Sequence, residues 1–329
     1  MTVAVVQPLP GIGDMIWHLP HIRAIAAQVG EPVTLITKPR SAADQIFSAE
    51  TTIRDIFWLD RNPDSRKGEH DGGPGFLRVI GALRARRFDS VYLLHHSKTI
   101  AMLTMLAGIP ARYGYGYGIQ KWFLNRSPFL PDAVLQQHPF DQATAWLRAA
   151  HIPMAEAEPI LSVTETAIAA VRARLESHDS PIAIGIGSSE PYKQWGAARF
   201  AALADGLTAA MNRPVILVGG QAEAPLATEI QARARTATMT AIGWNLSEIA
   251  ALFTMSAFYA GNDTGVMNIA AAAGIRTYGL FGAVPPFHHS SRIVPIVPPG
   301  GVSKDDGMAR LTVEQVLGAI EMDQTSIRA

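Results

Sequence analysis

Residues 182–211, IAIGIGSSEPYKQWGAARFAALADGLTAAM, read as a short buried strand (Ile182–Ile186), a glycine- and serine-rich turn (Gly187–Trp195) and a helix (Ala197–Met211). Four to five apolar residues bounded by glycine fit a strand covered on both faces. The alanine- and leucine-rich run behind it has helical spacing. Residues 3–27, VAVVQPLPGIGDMIWHLPHIRAIAA, repeat the order: a strand Val3–Gln7, the turn Gly11–Asp14 and a helix Met15–Ala27 with Ile16, Leu19, Ile22 and Ile25 on one face, disturbed early by Pro20. Two separate strand, glycine-turn, helix starts predict an α/β chain of two Rossmann-like, doubly wound parallel-sheet domains facing across a cleft.

Outward from these two starts the alternation continues. The first half predicts strands Val33–Thr37, Ile56–Leu59 and Ser90–Leu94, and helices near Ala42–Phe47, Phe76–Arg86, Lys98–Ala107 and Phe140–Ala150. Asn62–Gly75 (NPDSRKGEHDGGPG) is polar and aperiodic, and predicts a mobile surface loop. Arg112–Trp122 (RYGYGYGIQKW) fits either a sugar- and phosphate-gripping tract or the edge of a strand or turn. The pattern weakens over 128–159, which puts the boundary near residue 160, with domains 1–160 and 161–329. The second half predicts a helix Glu165–Ser177, a strand Val215–Val218, a helix from Asn245 with Glu248 at capping-box spacing, a strand Ala257–Ala260, a helix Met267–Ala273 and a strand Thr277–Phe281.

Composition limits the function. The 329 residues are 48% hydrophobic and 17% charged, with 28 Lys+Arg against 28 Asp+Glu, which excludes wholesale disorder and argues against nucleic acid as a partner. Residues 1–150 carry 16 basic against 12 acidic side chains, a mild positive excess. Without cysteine there is no disulfide, thiolate metal site or cysteine nucleophile. The opening MTVAVVQPLPGIGD shows no basic leader, and no stretch of ~18 apolar residues runs without a charge, so a soluble, cytoplasmic protein is expected.

Candidate chemistry sits where strands end. Gly11-Ile12-Gly13-Asp14 suits an anion at a helix start, but Ile16 occupies the third glycine position of a dinucleotide fingerprint and Lys38 replaces the acidic ribose ligand, so NAD is not expected. Asp14 there is either a general base for an incoming hydroxyl or a helix cap. Ser188, Ser189 and Lys193 form a possible diphosphate cradle without a Walker motif. Glu223 after Gly219-Gly220 suits ribose hydroxyls, and Asp263, Thr264 and Gly265 open a helix where phosphate oxygens would find donors. His95 and His96 lie after a strand and are candidate substrate contacts. Neither H-E-x-x-H nor D-x-D occurs, and no required metal or other cofactor is expected.

Together GIGDMIWHLPHIRAIA, GSSEPYKQWGAARFAALA, VLVGGQAE and IGWNLSEIAALFTMSAFYAGNDTGVMNIAAAAGIRTYGLFG resemble, in order, the blocks of glycosyltransferase family 9, the bacterial ADP-heptose:lipopolysaccharide heptosyltransferases. The resemblance implies a GT-B fold, acceptor side first and nucleotide sugar second, with the C-terminal helix Thr312–Met322 packing back on the first domain. It implies inverting, metal-independent transfer of a sugar, heptose with ADP as carrier, to a lipopolysaccharide-core-type glycolipid or other glycan, with peripheral contact at the inner face of the inner membrane. By matched positions Asp14 would be the base and Lys193 would steady the diphosphate. Glu223 would hold the ribose, and Asp263, Thr264 and Gly265 the phosphates and sugar, with Ser188 and Ser189 alongside. Gly13, His95, His96 and Asn268 are further possible acceptor or sugar contacts; Asn268 stands where the family commonly has His. A protein-directed heptosyltransferase, a nucleotide-sugar epimerase of the same fold and a non-catalytic nucleotide- or glycan-binding protein are the alternatives.

Overall fold

A computed structural model describes residues 1–62, 66–175, 180–287 and 289–328. The chain divides into two units, Met1–Ile160 and Leu161–Ala329, each built on one parallel sheet.

The first unit runs β1 (Val3–Val6), α1 (Ile12–Val29), β2 (Val33–Thr37), α2 (Ala43–Ile46), β3 (Ile53–Trp58), α3 (Gly72–Ala85), β4 (Ser90–Leu93), α4 (Lys98–Leu106), β5 (Ala111–Gly114) and α5 (Pro139–Ala149). Its strand order is β3-β2-β1-β4-β5, so the winding direction reverses between β1 and β4. The central strands β1 (VAVV) and β4 (SVYL) are fully buried, as their largely apolar runs dictate when helices cover both faces. α1 runs on through Pro20 and stops at Gly30, whose left-handed backbone (φ 75°) lets its N–H return to Ala26 and Ala27.

The second unit runs α6 (Glu165–Leu175), β6 (Ile182–Gly185), α7 (Ala197–Met211), β7 (Val215–Gly219), α8 (Ala224–Arg233), β8 (Thr238–Ile242), α9 (Leu246–Thr254), β9 (Phe258–Asn262), α10 (Gly265–Ala272), β10 (Thr277–Leu280), β11 (Ile293–Ile296), α11 (Gly307–Arg310) and α12 (Val313–Arg328). Its order β11-β10-β9-β6-β7-β8 is that of a complete dinucleotide-type sheet, with the reversal between β6 and β9. The predicted capping box forms at α9: Asn245 Oδ1 accepts from the Glu248 N–H at 2.9 Å, and the Asn245 N–H donates to Glu248 at 3.3 Å.

Asn62–Gly75 is not one loop, because α3 starts at Gly72. Asp71 there accepts from the Asn62 and Gly68 N–H groups at 2.7 Å each, which pins the approach to the helix; residues 63–65 lie outside the described residues. Gly75 in the first turn of α3 is glycine for a steric reason, since a Cβ there would collide with the backbone of His70. The predicted helix Glu165–Ser177 is described to Leu175, and Ser177 lies outside the described residues. Arg112–Trp122 holds the edge strand β5 followed by a 3-10 turn, Gly118–Phe123. The terminal helix α12 is tied to the second unit: Leu317 packs on Gly206 of α7, and Asp323 pairs with Arg276 at 2.6 Å and accepts from the Tyr278 hydroxyl at 2.8 Å. Its apolar residues Val316 and Ile320 complete the core of the second sheet.

Candidate functional site

In the second unit the loops after β6 and β9 leave from adjacent strands at the reversal point, where backbone ends diverge and leave room for a ligand. Gly185 and Gly261 pair across these strands. Both must be glycine: a Cβ at Gly185 would overlap the Tyr259 hydroxyl, and one at Gly261 would strike the Gly185 carbonyl. Burial pushes the Tyr259 phenol up, so the ring forms a neutral floor. Above it, Lys193 Nζ donates to Asp263 Oδ2 at 2.7 Å, with the two side chains 18% and 21% exposed. The lysine therefore does not face open solvent. Thr264 caps α10 without a side-chain bond to the helix, leaving its hydroxyl and the first amides of α10 without intrahelical partners.

Glu223 sits in the 3-10 turn after β7 and reaches across. Its carboxyl carbon is 3.7 Å from the position a Cβ would take on Gly187, and its Oε2 is 3.1 Å from that on Gly220. Glycine at both positions keeps this carboxylate accessible beside the β6 loop. Ser188 is turned inward on its own loop, its hydroxyl donating to Glu190 O at 2.6 Å. Ser189 lies between the two on the same turn. Two side chains lock this loop, Asn262 from the glycine-flanked turn after β9 and Gln194, which the sequence did not mark. Asn262 donates to Gly187 O at 3.0 Å, and Gln194 donates to Ile186 O at 3.0 Å. Asn262 Oδ1 is buried and has no hydrogen-bond partner.

Asn268 lies one turn into α10. It is 4% exposed inside α10, donating to Thr264 O at 3.1 Å and lying 2.7 Å from His289 Nε2. The structure thus makes it an internal brace of the helix start, with a histidine ring brought beside it from the segment after β10.

In the first unit the loops after β1 and β4 meet at the equivalent reversal point. Asp14 is the third residue of α1 and not its N-cap, which is Gly11, because the helix starts earlier than predicted, at Ile12; one carboxylate oxygen reaches back to accept from the Gly11 N–H at 3.2 Å. Partial burial raises the Asp14 pKa from the ordinary carboxylate value, opposed by that N–H. Gly13 is buried in the same turn. Behind it the backbone is fixed by two fully buried side chains: Gln7 accepts from the Leu9 N–H at 2.8 Å, and His18 Nδ1 lies 2.7 Å from Asp14 O. His95 and His96 stack with ring centres 4.3 Å apart. Desolvation, with His96, His18 and Lys38 nearby, pushes His95 down to about 3, so it is a neutral ring.

A cleft of about 320 Å³ opens at this sheet edge, lined by Pro8–Pro10, Lys38, Arg61, His95 and Ser97. Lys38 and Arg61 each follow a strand, which was the available signal for them. Their loops carry no recognisable motif. Asp14 is not among the lining residues. Among the described residues no group of three or more His, Asp or Glu side chains is placed to hold a metal ion, and no helix is long and apolar enough to cross a membrane.

Comparison with known proteins agrees with this architecture. Curated protein sequences give no match. Among solved structures, the chain is similar to a glycosyltransferase family 9 protein from Veillonella parvula DSM 2008 (TM-score 0.81, 20% identity, 98% of this chain and 96% of that one). It is also similar to the E. coli ADP-heptose lps heptosyltransferase II (TM-score 0.79, 21% identity, 100% of both chains). A third is E. coli heptosyltransferase WaaC with ADP-2-deoxy-2-fluoro heptose (TM-score 0.73, 18% identity, 98% and 100%). At these identities the likeness carries the fold: two Rossmann-like parallel-sheet domains of the GT-B class. The family model described as glycosyltransferase family 9 (heptosyltransferase) matches residues 76–296, well over half of the sequence, and the chain belongs to that family.

Proposed function

We propose that this glycosyltransferase moves a heptose from ADP-heptose to a hydroxyl of an anionic, lipopolysaccharide-core-type glycolipid or glycan, with inversion and without a metal ion, on the cytoplasmic face of a bacterial inner membrane. The observation that carries the reading is the Lys193–Asp263 pair beside the open start of α10, at the reversal point of a six-stranded nucleotide-binding sheet. A diphosphate entering there draws the Lys193 ammonium toward its oxygens and meets the α10 amides, while Glu223 accepts the ribose hydroxyls.

The chemistry is a single displacement. A base takes the acceptor's hydroxyl proton, the oxygen forms a bond to the anomeric carbon, and the bond from that carbon to the diphosphate oxygen breaks, releasing ADP. Asp14 suits the base because desolvation makes its carboxylate more basic than an exposed one. Lys193 and the helix amides hold the charge that grows on the departing diphosphate, the work that a metal performs in other transferases. Lys38 and Arg61 favour a carboxylate or phosphate on the acceptor, in keeping with the basic excess of this half.

The bond from the Gly11 N–H to Asp14 favours a second reading, a nucleotide-sugar-binding protein without turnover. Calorimetric titration with ADP-, GDP- and UDP-sugars, followed by product analysis with a core-glycan acceptor, separates the two. The proposal expects ADP-heptose to bind tightest and to yield ADP and an inverted glycoside. Asp14→Asn, which preserves the cap, is expected to lose about 10²–10⁴-fold in transfer with donor affinity within about twofold. Tight donor binding without turnover would leave the second reading standing.

A further inference from the structure

The 3-10 turn Gly118–Phe123 shows water three large apolar side chains: Tyr117 just before it is 43% exposed, Ile119 54% and Trp122 83%. Residues three apart eclipse in a 3-10 helix, so Ile119 and Trp122 form one edge. Other tryptophans of the chain, Trp146 and Trp195, are 1% exposed and donate to backbone carbonyls, as buried indoles must.

The exposed edge is built, not frayed. Gln120, fully buried behind it, accepts from the Gly116 N–H at 2.9 Å and donates to His95 O at 2.8 Å. Arg112 Nε holds Phe123 O at 2.7 Å. Its charge environment is one-sided. From Ser90 to Pro131, 42 consecutive residues contain no Asp or Glu, whereas 28 acids in 329 residues would place three or four there. The same stretch carries Lys98, Arg112, Lys121 and Arg126; of these Lys98, Lys121 and Arg126 are exposed, the last two within four residues of Trp122 in the chain.

Indole and phenol rings interleaved with cations and free of acids match the headgroup layer of an anionic bilayer: the rings settle at the boundary and the cations meet lipid phosphates. We infer that Tyr117–Arg126 is a membrane-docking edge whose partner is an anionic phospholipid surface. Its ties to His95, and the Tyr117 ring 5.8 Å from His96, join it to the β4 loop of the candidate acceptor region, so docking would bring a lipid-borne acceptor to that loop. In purpose, though not in its own observations, the inference rests on the glycolipid reading above.

The test is co-sedimentation of the full chain with vesicles of phosphatidylcholine alone or with about 30 mol% phosphatidylglycerol, at low salt and at about 0.5 M salt. Binding is expected on the anionic vesicles and to weaken with salt. A Trp122→Ser, Ile119→Ser variant should bind about tenfold more weakly, and Lys121→Gln with Arg126→Gln severalfold more weakly on anionic vesicles only. All variants should keep the wild-type melting temperature, since the altered side chains are exposed. Equal binding by wild type and variants, no binding to either vesicle, or a dimer in light scattering that Trp122→Ser dissociates would overturn it; the last would make a second copy the occupant. Donor titration separates the two readings. Lost vesicle binding with ADP-heptose still bound removes only the docking edge, and the converse removes only the donor assignment.

Discussion

Mild acid should weaken this protein well before its carboxylates protonate, because the first unit buries neutral histidines. Burial holds His18 at about 4 and His95 at about 3, against an ordinary value of 6.5, and holds His21 well below it. The unfolded chain binds protons on these rings below about pH 6.5 while the native form does not. Their stabilisation is therefore present in full above pH 6.5 and is lost progressively as the pH falls toward the folded values. At about pH 5 each of His18 and His95 costs about 2 kcal/mol, from 1.36 kcal/mol per pH unit over about 1.5 units. The pair removes about 4 kcal/mol, a large part of the 5–15 kcal/mol of an ordinary domain, and lowers the melting temperature by roughly 8–16 °C. Urea unfolding between about pH 7.5 and pH 5, in wild type and His95→Gln, measures it. Removing the ring should recover about 2 kcal/mol of the acid loss. An unchanged pH slope in the variant, or a melting temperature flat to pH 5, would refute the argument that these rings are neutral in the native state.

Three further outcomes test the site and its frame. Lys193→Met should weaken nucleotide-sugar binding about 10- to 100-fold by calorimetry, because it removes a charged donor and leaves Asp263 facing the diphosphate alone. Gly185→Ala should cost about 1–3 kcal/mol in urea unfolding through its clash with the Tyr259 hydroxyl, and Tyr259→Phe in that background should restore part of it; no recovery would mean the strain lies elsewhere. Asp323→Asn should cost about 1–3 kcal/mol at neutral pH by breaking the clamp on α12. Arg276 holds this carboxyl below its usual value, so the difference from wild type should fade as the pH drops below about 4.

Much of the architecture was legible because burial on a parallel sheet writes unbroken apolar runs and packing on a helix writes a 3.6-residue period. Val33–Thr37 and Ala197–Met211 fall where the pattern places them, and the α9 cap follows from two residues three apart. The edges were harder. β5, β8 and β11 are short and only partly buried, and Pro295 within β11 imitates a loop. Gly75 reads as a break because its reason, close approach to His70, lies in the fold and not in propensity.

For the site, the sequence by itself determined which side chains stand at strand ends, since a glycine turn between a strand and a helix fixes them on the sheet's carboxyl edge. It could not determine their partners. The Lys193–Asp263 pair joins residues 70 apart, Asn268 meets His289 across 21, and Asp323 closes on Arg276 across 47. Local periodicity records how often a residue is buried, whereas strand order decides which loops become neighbours. Asp14 shows both limits: its place was readable, but its double condition, one oxygen on a helix cap and a carboxyl made more basic by desolvation, came only from the surrounding packing.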